Sequence, residues 1–111
     1  MNGINFTEQY LMHEFKDAVL EKVDDDVQEP PMYKVVLFND DFTTMDFVVM
    51  VLMVVFHKSM DESKNLMLAV HKKGSAVCGV YPYVIAETKV AQVQAMANQY
   101  KFPLRCTIEE E

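Results

Sequence analysis

The order of apolar and polar positions divides the chain at Pro30-Pro31. Downstream of this pair, short runs rich in Val, Tyr and Phe alternate with segments whose apolar residues recur at helical spacing. The short runs predict three strands, over residues 32–38, 75–81 and 104–108. The resulting order, β-α-α-β-α-β, predicts an α+β domain over residues 30–111.

The first predicted helix is unusual in having no polar face. Thr43 is its expected N-cap, with Asp46 three residues later, and it would run to about His57. Residues 47–56 are apolar throughout, which a small domain cannot bury on all sides of a helix. A buried strand is the competing interpretation of this β-branched run, although the cap signals favour a helix. A helix here would leave apolar side chains exposed, and such patches usually mark contacts.

The other two helices have clear boundaries. Ser59 and Glu62 form a capping box for the second helix, and Gly74 is its expected C-cap. Pro82 would open the third helix, and Pro103 would keep the chain from continuing as helix. The apolar positions of the third helix fall on one side, at Ile85, Ala86, Val90, Val93 and Ala97.

Residues 1–29 are predicted to form a flexible acidic arm. The chain up to residue 31 holds eight acidic residues and two lysines, a balance of −6, which leaves only −1 of the total of −7 for residues 32–111. Leu11, Phe15 and Val19 permit a short amphipathic helix formed on a partner, as the alternative to a disordered leader. No nucleic-acid partner is expected, because binding nucleic acid requires a basic face.

The remaining composition favours the reducing cytosol. Cys78 and Cys106 lie in apolar runs, which predicts buried thiols, and their spacing does not suit a metal site. The N-terminal residues lack the basic start and apolar stretch of a secretory signal. The longest apolar run is about half the length of a membrane span. We therefore expect a cytoplasmic protein with no membrane association and no metal.

The acceptor-rich segment Asn39-Asp40-Asp41, at the end of the first strand, is the first candidate site. Amide and carboxylate oxygens are the acceptors that an ammonium group requires, and neutral His71 could add another. This composition predicts a docking site for an amino group. The alternative is that Asn39 and the two aspartates only shape the turn, and that His71 is an ordinary surface residue.

A second candidate is apolar and consists of Met45, Val48, Met67 and Leu104. Methionine side chains are flexible and polarizable, and surfaces lined by them adapt to varied apolar partners. Plain core packing is the alternative for these four positions.

The sequence gives little support for an enzyme or a cofactor. It lacks a nucleophile elbow, an HExxH motif and a phosphate-binding glycine loop. A phosphorylated receiver domain would need a second aspartate at a strand end, but the only aspartate after Asp46 is Asp61, at a predicted helix start. We expect no catalytic residue and no cofactor.

Five blocks of the sequence resemble the bacterial ClpS adaptor family, in the same order and at matching spacing. The resemblance covers roughly residues 30–109. The blocks are PPMYKVVLFNDD (30–41), LMLAVH (66–71), VCGV (77–80), AETKV (86–90) and PLRCT (103–107).

The resemblance implies a fold and a function. The fold is a three-stranded antiparallel sheet packed on three helices, preceded by a flexible arm. Members of the family bind proteins that begin with Leu, Phe, Tyr or Trp, called N-degron substrates. They deliver them to the ATP-driven AAA+ unfoldase ClpA and its protease ClpP in the bacterial cytoplasm.

Carried over by position, the resemblance also implies the roles of particular residues. Asn39, Asp40 and His71 would hold the α-amino group of the substrate. Met45 would be a gatekeeper against β-branched first residues, and residues 1–29 would engage the unfoldase together with Glu87 and Lys89. The pocket for the first side chain would be lined by Thr43, Met45, Val48, Met67 and Leu104, with Asp41 at its rim.

The chain departs from the family pattern on the expected docking face and on the first helix. Family members carry an acidic residue near Val84, a proline at Thr44, and polar residues at some of Met50, Met53 and Val54. The alternative function is therefore a generic interaction module of the same fold with altered unfoldase docking.

Overall fold

The computed structural model describes residues 29–111. The order of elements is β-α-α-β-α-β, as predicted. Strands β1, β2 and β3 span Met32–Phe38, Ser75–Pro82 and Arg105–Glu110; helices α1, α2 and α3 span Met45–Val54, Met60–Lys73 and Tyr83–Tyr100. The predicted arm over residues 1–29, including its possible amphipathic helix, lies outside the described residues except for Glu29.

The three strands form one antiparallel sheet in the order β2-β1-β3. Leu37 in the central strand faces Ala76 on one side and Cys106 on the other. Val35 and Leu37 belong to the main core cluster, whereas Val36, between them on the opposite face of the strand, does not. The helices therefore pack on the face of the sheet that carries Val35 and Leu37.

The all-apolar segment forms helix α1, and the competing strand assignment is wrong. Its buried residues are Phe47, Val48, Val51 and Leu52, at the spacing of one helical face. Val54, near its end, is exposed, as expected for an apolar helix on a small domain.

Helix α1 ends three residues before the predicted His57. Val55 is its C-cap, and His57 takes a left-handed backbone with a φ of 55°. This left-handed residue turns the chain back, so that the Lys58 N–H donates to the Leu52 carbonyl at 3.1 Å. Because no glycine marks this left-handed position, no stop signal for the helix is visible in the sequence there.

The boundaries of α2 are those predicted. The Ser59 hydroxyl accepts from the Glu62 N–H, and the Glu62 carboxylate accepts from the Ser59 N–H, both at 3.1 Å. Gly74 ends the helix in the left-handed conformation, with a φ of 91°.

Helix α3 begins after Pro82 and ends at Tyr100. Ala86, Val93 and Ala97 form its buried face, as predicted, and Val90 is partly buried against the core. The inward position predicted for Ile85 is wrong, since that side chain is exposed. No helix among residues 29–111 is long and apolar enough to cross a membrane.

Candidate functional site

A backbone hydrogen bond joins the end of β1 to the end of α2. The Asn39 N–H donates to the Gly74 carbonyl at 2.9 Å. Gly74 follows the last turn of α2, which carries His71. The acceptor-rich segment and the predicted histidine, about thirty positions apart in sequence, are therefore neighbours in space.

Asp40 organises the loop between β1 and α1. Its Oδ1 accepts from the N–H groups of Phe42, at 2.8 Å, and Thr43, at 2.7 Å. Its Oδ2 accepts from the Thr43 hydroxyl at 2.7 Å. A short carboxylate side chain that bonds the backbone two and three residues ahead fixes a tight turn.

The predicted N-cap is off by one residue. Thr44, and not Thr43, caps α1, because its hydroxyl accepts from the Phe47 N–H at 3.1 Å. The Thr43 hydroxyl is engaged by Asp40 and so is not available to the helix. Sequence alone does not separate two adjacent threonines that are both good caps.

The hydrogen bonds of Asp40 also set its charge. Partial burial raises the pKa of its carboxyl, but the side-chain and backbone hydrogen bonds from Thr43 and the backbone one from Phe42 outweigh that effect. The pKa of Asp40 is consequently below its ordinary value of 3.8, and the carboxylate is ionised at neutral pH.

The loop, the start of α1 and the end of α2 enclose a cavity of about 340 Å³. Its polar members are Asn39, Asp40, Asp41, Thr43, Thr44 and His71, and its apolar members are Met45, Val48, Met67 and Val70. Val48 and Val70 are buried, whereas Asn39, Asp41 and His71 are exposed. The cavity therefore combines a polar mouth with an apolar interior.

All but one of the residues predicted for the amino-group site and the side-chain pocket line this cavity. The exception is Leu104, which is 2% exposed and belongs to the hydrophobic core just before β3. Sequence analysis did not assign Thr44 or Val70 to the site. Val70 could have been found from its helical spacing, because it lies three residues after Met67.

Hydrogen-bond acceptors at the mouth of the cavity remain available to a ligand. A carboxylate offers about four lone-pair sites. Three hydrogen bonds occupy three of those of Asp40. About one site thus remains on Oδ2, and Asn39 and His71, which line the same cavity, can each supply a further acceptor. Three acceptors of this kind match the three donors of a primary ammonium group.

The two predicted docking residues lie elsewhere, on α3. Glu87 is exposed. Lys89 is partly buried; its Nζ donates to the Val55 carbonyl at 2.8 Å and lies 5.7 Å from the centre of the Tyr81 ring. The ammonium of Lys89 is therefore engaged within the domain, at the C-terminal end of α1.

The sequence of this chain is similar to those of known proteins. Residues 28–107 match the family described as ATP-dependent Clp protease adaptor protein ClpS. The ClpS adapter protein of Syntrophus aciditrophicus is 56% identical over 87 residues, covering 78% of this chain and 81% of that protein. The ClpS adapter protein of Wolinella succinogenes is 57% identical over 84 residues, covering 76% of this chain and 82% of that protein.

A solved structure agrees with the sequence matches. It is that of Agrobacterium tumefaciens ClpS2 bound to L-phenylalaninamide, with a TM-score of 0.72 and 42% identity. The match covers 75% of this chain and 100% of that chain. With the fold, the cavity and the relatives in agreement, the chain belongs to the ClpS family of adaptors of the ATP-dependent Clp protease.

Proposed function

We propose that this adaptor binds N-degron proteins, those that begin with Leu, Phe, Tyr or Trp, and delivers them to the ClpA unfoldase for degradation by ClpA and ClpP. The observation that carries the proposal is the composition of a single cavity. Its mouth offers acceptors for a free α-amino group, and its interior is lined by apolar side chains.

Asn39, Asp40 and His71 hold the α-amino group in this proposal. Each supplies one acceptor, and Asp41 borders the pocket at its rim. Leaving a buried donor or acceptor unpaired costs about 1–3 kcal/mol, and more for a charged group. A site that pairs an ammonium therefore rejects an acetylated terminus.

The first side chain of the substrate enters the apolar interior, which Thr43, Met45, Val48 and Met67 line together with Val70. The family resemblance also assigns Leu104 to this pocket, and its side chain is buried in the core cluster that includes Val48 and Val70. Met45 is the gatekeeper, because its side chain would clash with a branched Cβ and so exclude Ile and Val. The ligand of the Agrobacterium relative supports this assignment, since L-phenylalaninamide carries a free amino group and a phenylalanine side chain.

Delivery uses parts of the chain remote from the cavity. The acidic arm, residues 1–29, engages the unfoldase, and Glu87 and Lys89 lie on the docking face. The adaptor itself performs no chemistry and works in the bacterial cytoplasm, where ClpA acts. It requires no cofactor, because the unfoldase supplies the energy.

One observation favours a modified form of docking. Tyr83, Val84 and Ile85 at the start of α3 are all exposed, and Val84 is 71% exposed. An apolar cluster at a docking face favours contacts that depend little on salt. If ClpA is not bound, the protein is instead an interaction module with a different unfoldase partner.

Fluorescence anisotropy tests the binding step. A labelled peptide that begins with Phe should bind, and the same peptide beginning with Ile should bind at least tenfold more weakly. Equal affinity for the two peptides would contradict the proposed pocket.

Titration against ClpA tests the delivery step. The full chain and a variant lacking residues 1–29 should both bind ClpA, but only the full chain should promote degradation of a substrate that begins with Phe. Equal degradation with both proteins would contradict the role of the arm.

A further inference from the structure

Phe42 is a large apolar side chain at the tip of the loop between β1 and α1. It is 78% exposed, more than any other large apolar residue among residues 29–111. Single exposed apolar residues are common and by themselves indicate nothing. Two features of its surroundings set Phe42 apart.

The first feature is its position relative to the cavity. Asp41 and Thr43, the residues on either side of it, both line the cavity, whereas Phe42 does not. The side chain of Phe42 therefore lies outside the mouth and next to it. An aromatic surface is thus continuous with the rim of the binding site.

The second feature is that the backbone of Phe42 is held in place. Its N–H donates to Oδ1 of Asp40 at 2.8 Å, and the next N–H, that of Thr43, donates to the same atom. The carboxylate that we assign to the substrate's amino group thus also positions Phe42. Because the backbone is fixed, only the two side-chain torsions of Phe42 remain to be ordered when it makes a contact, which costs little conformational entropy.

We infer that Phe42 binds the second side chain of the substrate and gives the adaptor a preference for apolar residues at that position. This inference rests on the proposed function. When the first residue occupies the cavity and its amino group is held at the mouth, the peptide must leave through that mouth. The second residue then emerges beside the rim, where the ring of Phe42 offers it an apolar surface.

The test compares two peptides that differ only in their second residue. Phe-Leu and Phe-Gly peptides of otherwise identical sequence are measured by anisotropy against the wild type and Phe42→Ala. The wild type should prefer Phe-Leu, and Phe42→Ala should lose about three- to tenfold in affinity for it. The affinity for Phe-Gly should change less than twofold.

The matched control is Val54→Ala, which truncates another exposed apolar side chain, at the end of α1 and outside the cavity. It should bind both peptides as the wild type does. An equal loss for both peptides with Phe42→Ala, or no loss for either, would overturn the inference while leaving the proposed function in place. A wild-type protein that binds neither peptide would overturn the proposed function and this inference with it.

Discussion

At the scale of single residues, Asp40 shapes its loop and, in our proposal, also binds the ligand. Three hydrogen bonds to Phe42 and Thr43 make it the centre of its loop, and its remaining acceptor site is directed to the ligand in our proposal. Replacing Asp40 by Ala would therefore alter the loop as well as the binding site. Substitutions at neighbouring lining residues are cleaner tests.

His71 offers such a test, because it is exposed and at the end of α2. We expect His71→Ala to weaken binding of a peptide beginning with Phe by about tenfold or more, since one donor of the ammonium loses its acceptor. Anisotropy measures the affinity, and thermal unfolding checks that the fold is unchanged.

Lys72→Ala is the matched control for His71, because Lys72 is also exposed but does not line the cavity. Its affinity should equal that of the wild type. Wild-type affinity in His71→Ala would remove this residue from the amino-group site.

Met45 tests the gatekeeper assignment. We expect Met45→Ala to bind a peptide beginning with Ile or Val with an affinity within about tenfold of that for Phe, because the clash with the branched Cβ is removed. The same peptides are titrated against the wild type and the variant.

Met60→Ala is the control for Met45, since Met60 is 48% exposed, compared with 45% for Met45, and lies outside the cavity. It should still exclude Ile and Val. Continued exclusion of Ile and Val by Met45→Ala would show that another residue excludes β-branched side chains.

At the scale of elements, the sequence predicted the ends that carry a chemical signal. The Ser59–Glu62 capping box and Gly74 mark α2 correctly, because side-chain acceptors and a left-handed glycine are local requirements. The end of α1 could not be predicted, since His57 carries no such signal. The exclusion of Leu104 from the cavity likewise depends on tertiary packing, which the apolar character of a residue does not reveal.

The cavity itself was predicted in part through family resemblance. From residue types alone, Asn39 and the aspartates fitted a turn as well as a site. Asp40 shapes the turn and also lines the cavity, which explains why local reasoning could not decide between the two interpretations. The proximity of His71 depends on the Asn39–Gly74 hydrogen bond, which is not visible in the sequence.

Lys89 provides a prediction about the end of α1. Its ammonium donates to the carbonyl of Val55, 34 positions away, where a cation also interacts favourably with the helix dipole. We expect Lys89→Met, which keeps the apolar stem, to lower the free energy of unfolding by about 1–2 kcal/mol, measured with urea.

Lys101→Met is a control for Lys89, because Lys101 is exposed and makes no side-chain hydrogen bond within residues 29–111. It should unfold with a nearly unchanged midpoint. Unchanged stability in Lys89→Met would mean that its hydrogen bond to Val55 does not stabilise the domain.

At the scale of the whole molecule, β1 separates the two surfaces that our proposal assigns to the substrate and to the unfoldase. The cavity follows Phe38 at one end of the strand, and α3 starts beside Met32 at the other, because Met32 pairs with Pro82. A strand of seven residues spans about 20 Å. A substrate can thus occupy the cavity while the start of α3 contacts a partner.

The two buried thiols predict how the stability of the domain depends on pH. Burial raises the pKa of both Cys78 and Cys106 from 9.0 to about 12. Below pH 9 the thiols are protonated in both the folded and the unfolded chain. Between pH 9 and pH 12 they ionise first in the unfolded chain, so stability falls as pH rises.

We expect the free energy of unfolding to drop by about 2–3 kcal/mol from pH 8 to pH 10 through these two groups. Urea unfolding at both pH values measures the change. A double variant, Cys78→Ala with Cys106→Ala, removes this contribution and leaves that of Tyr81, whose pKa burial also raises. An equal drop in the double variant would assign the pH dependence to other groups.

The central claim is that the adaptor recognises a free α-amino group, and calorimetric titration with a matched pair of peptides tests it most directly. One peptide begins with a free Phe, and the other is identical but N-acetylated. We predict that acetylation weakens binding at least a hundredfold. It removes the positive charge and two of the three N–H groups from which Asn39, Asp40 and His71 would accept hydrogen bonds. Equal affinity for the two peptides would contradict the account.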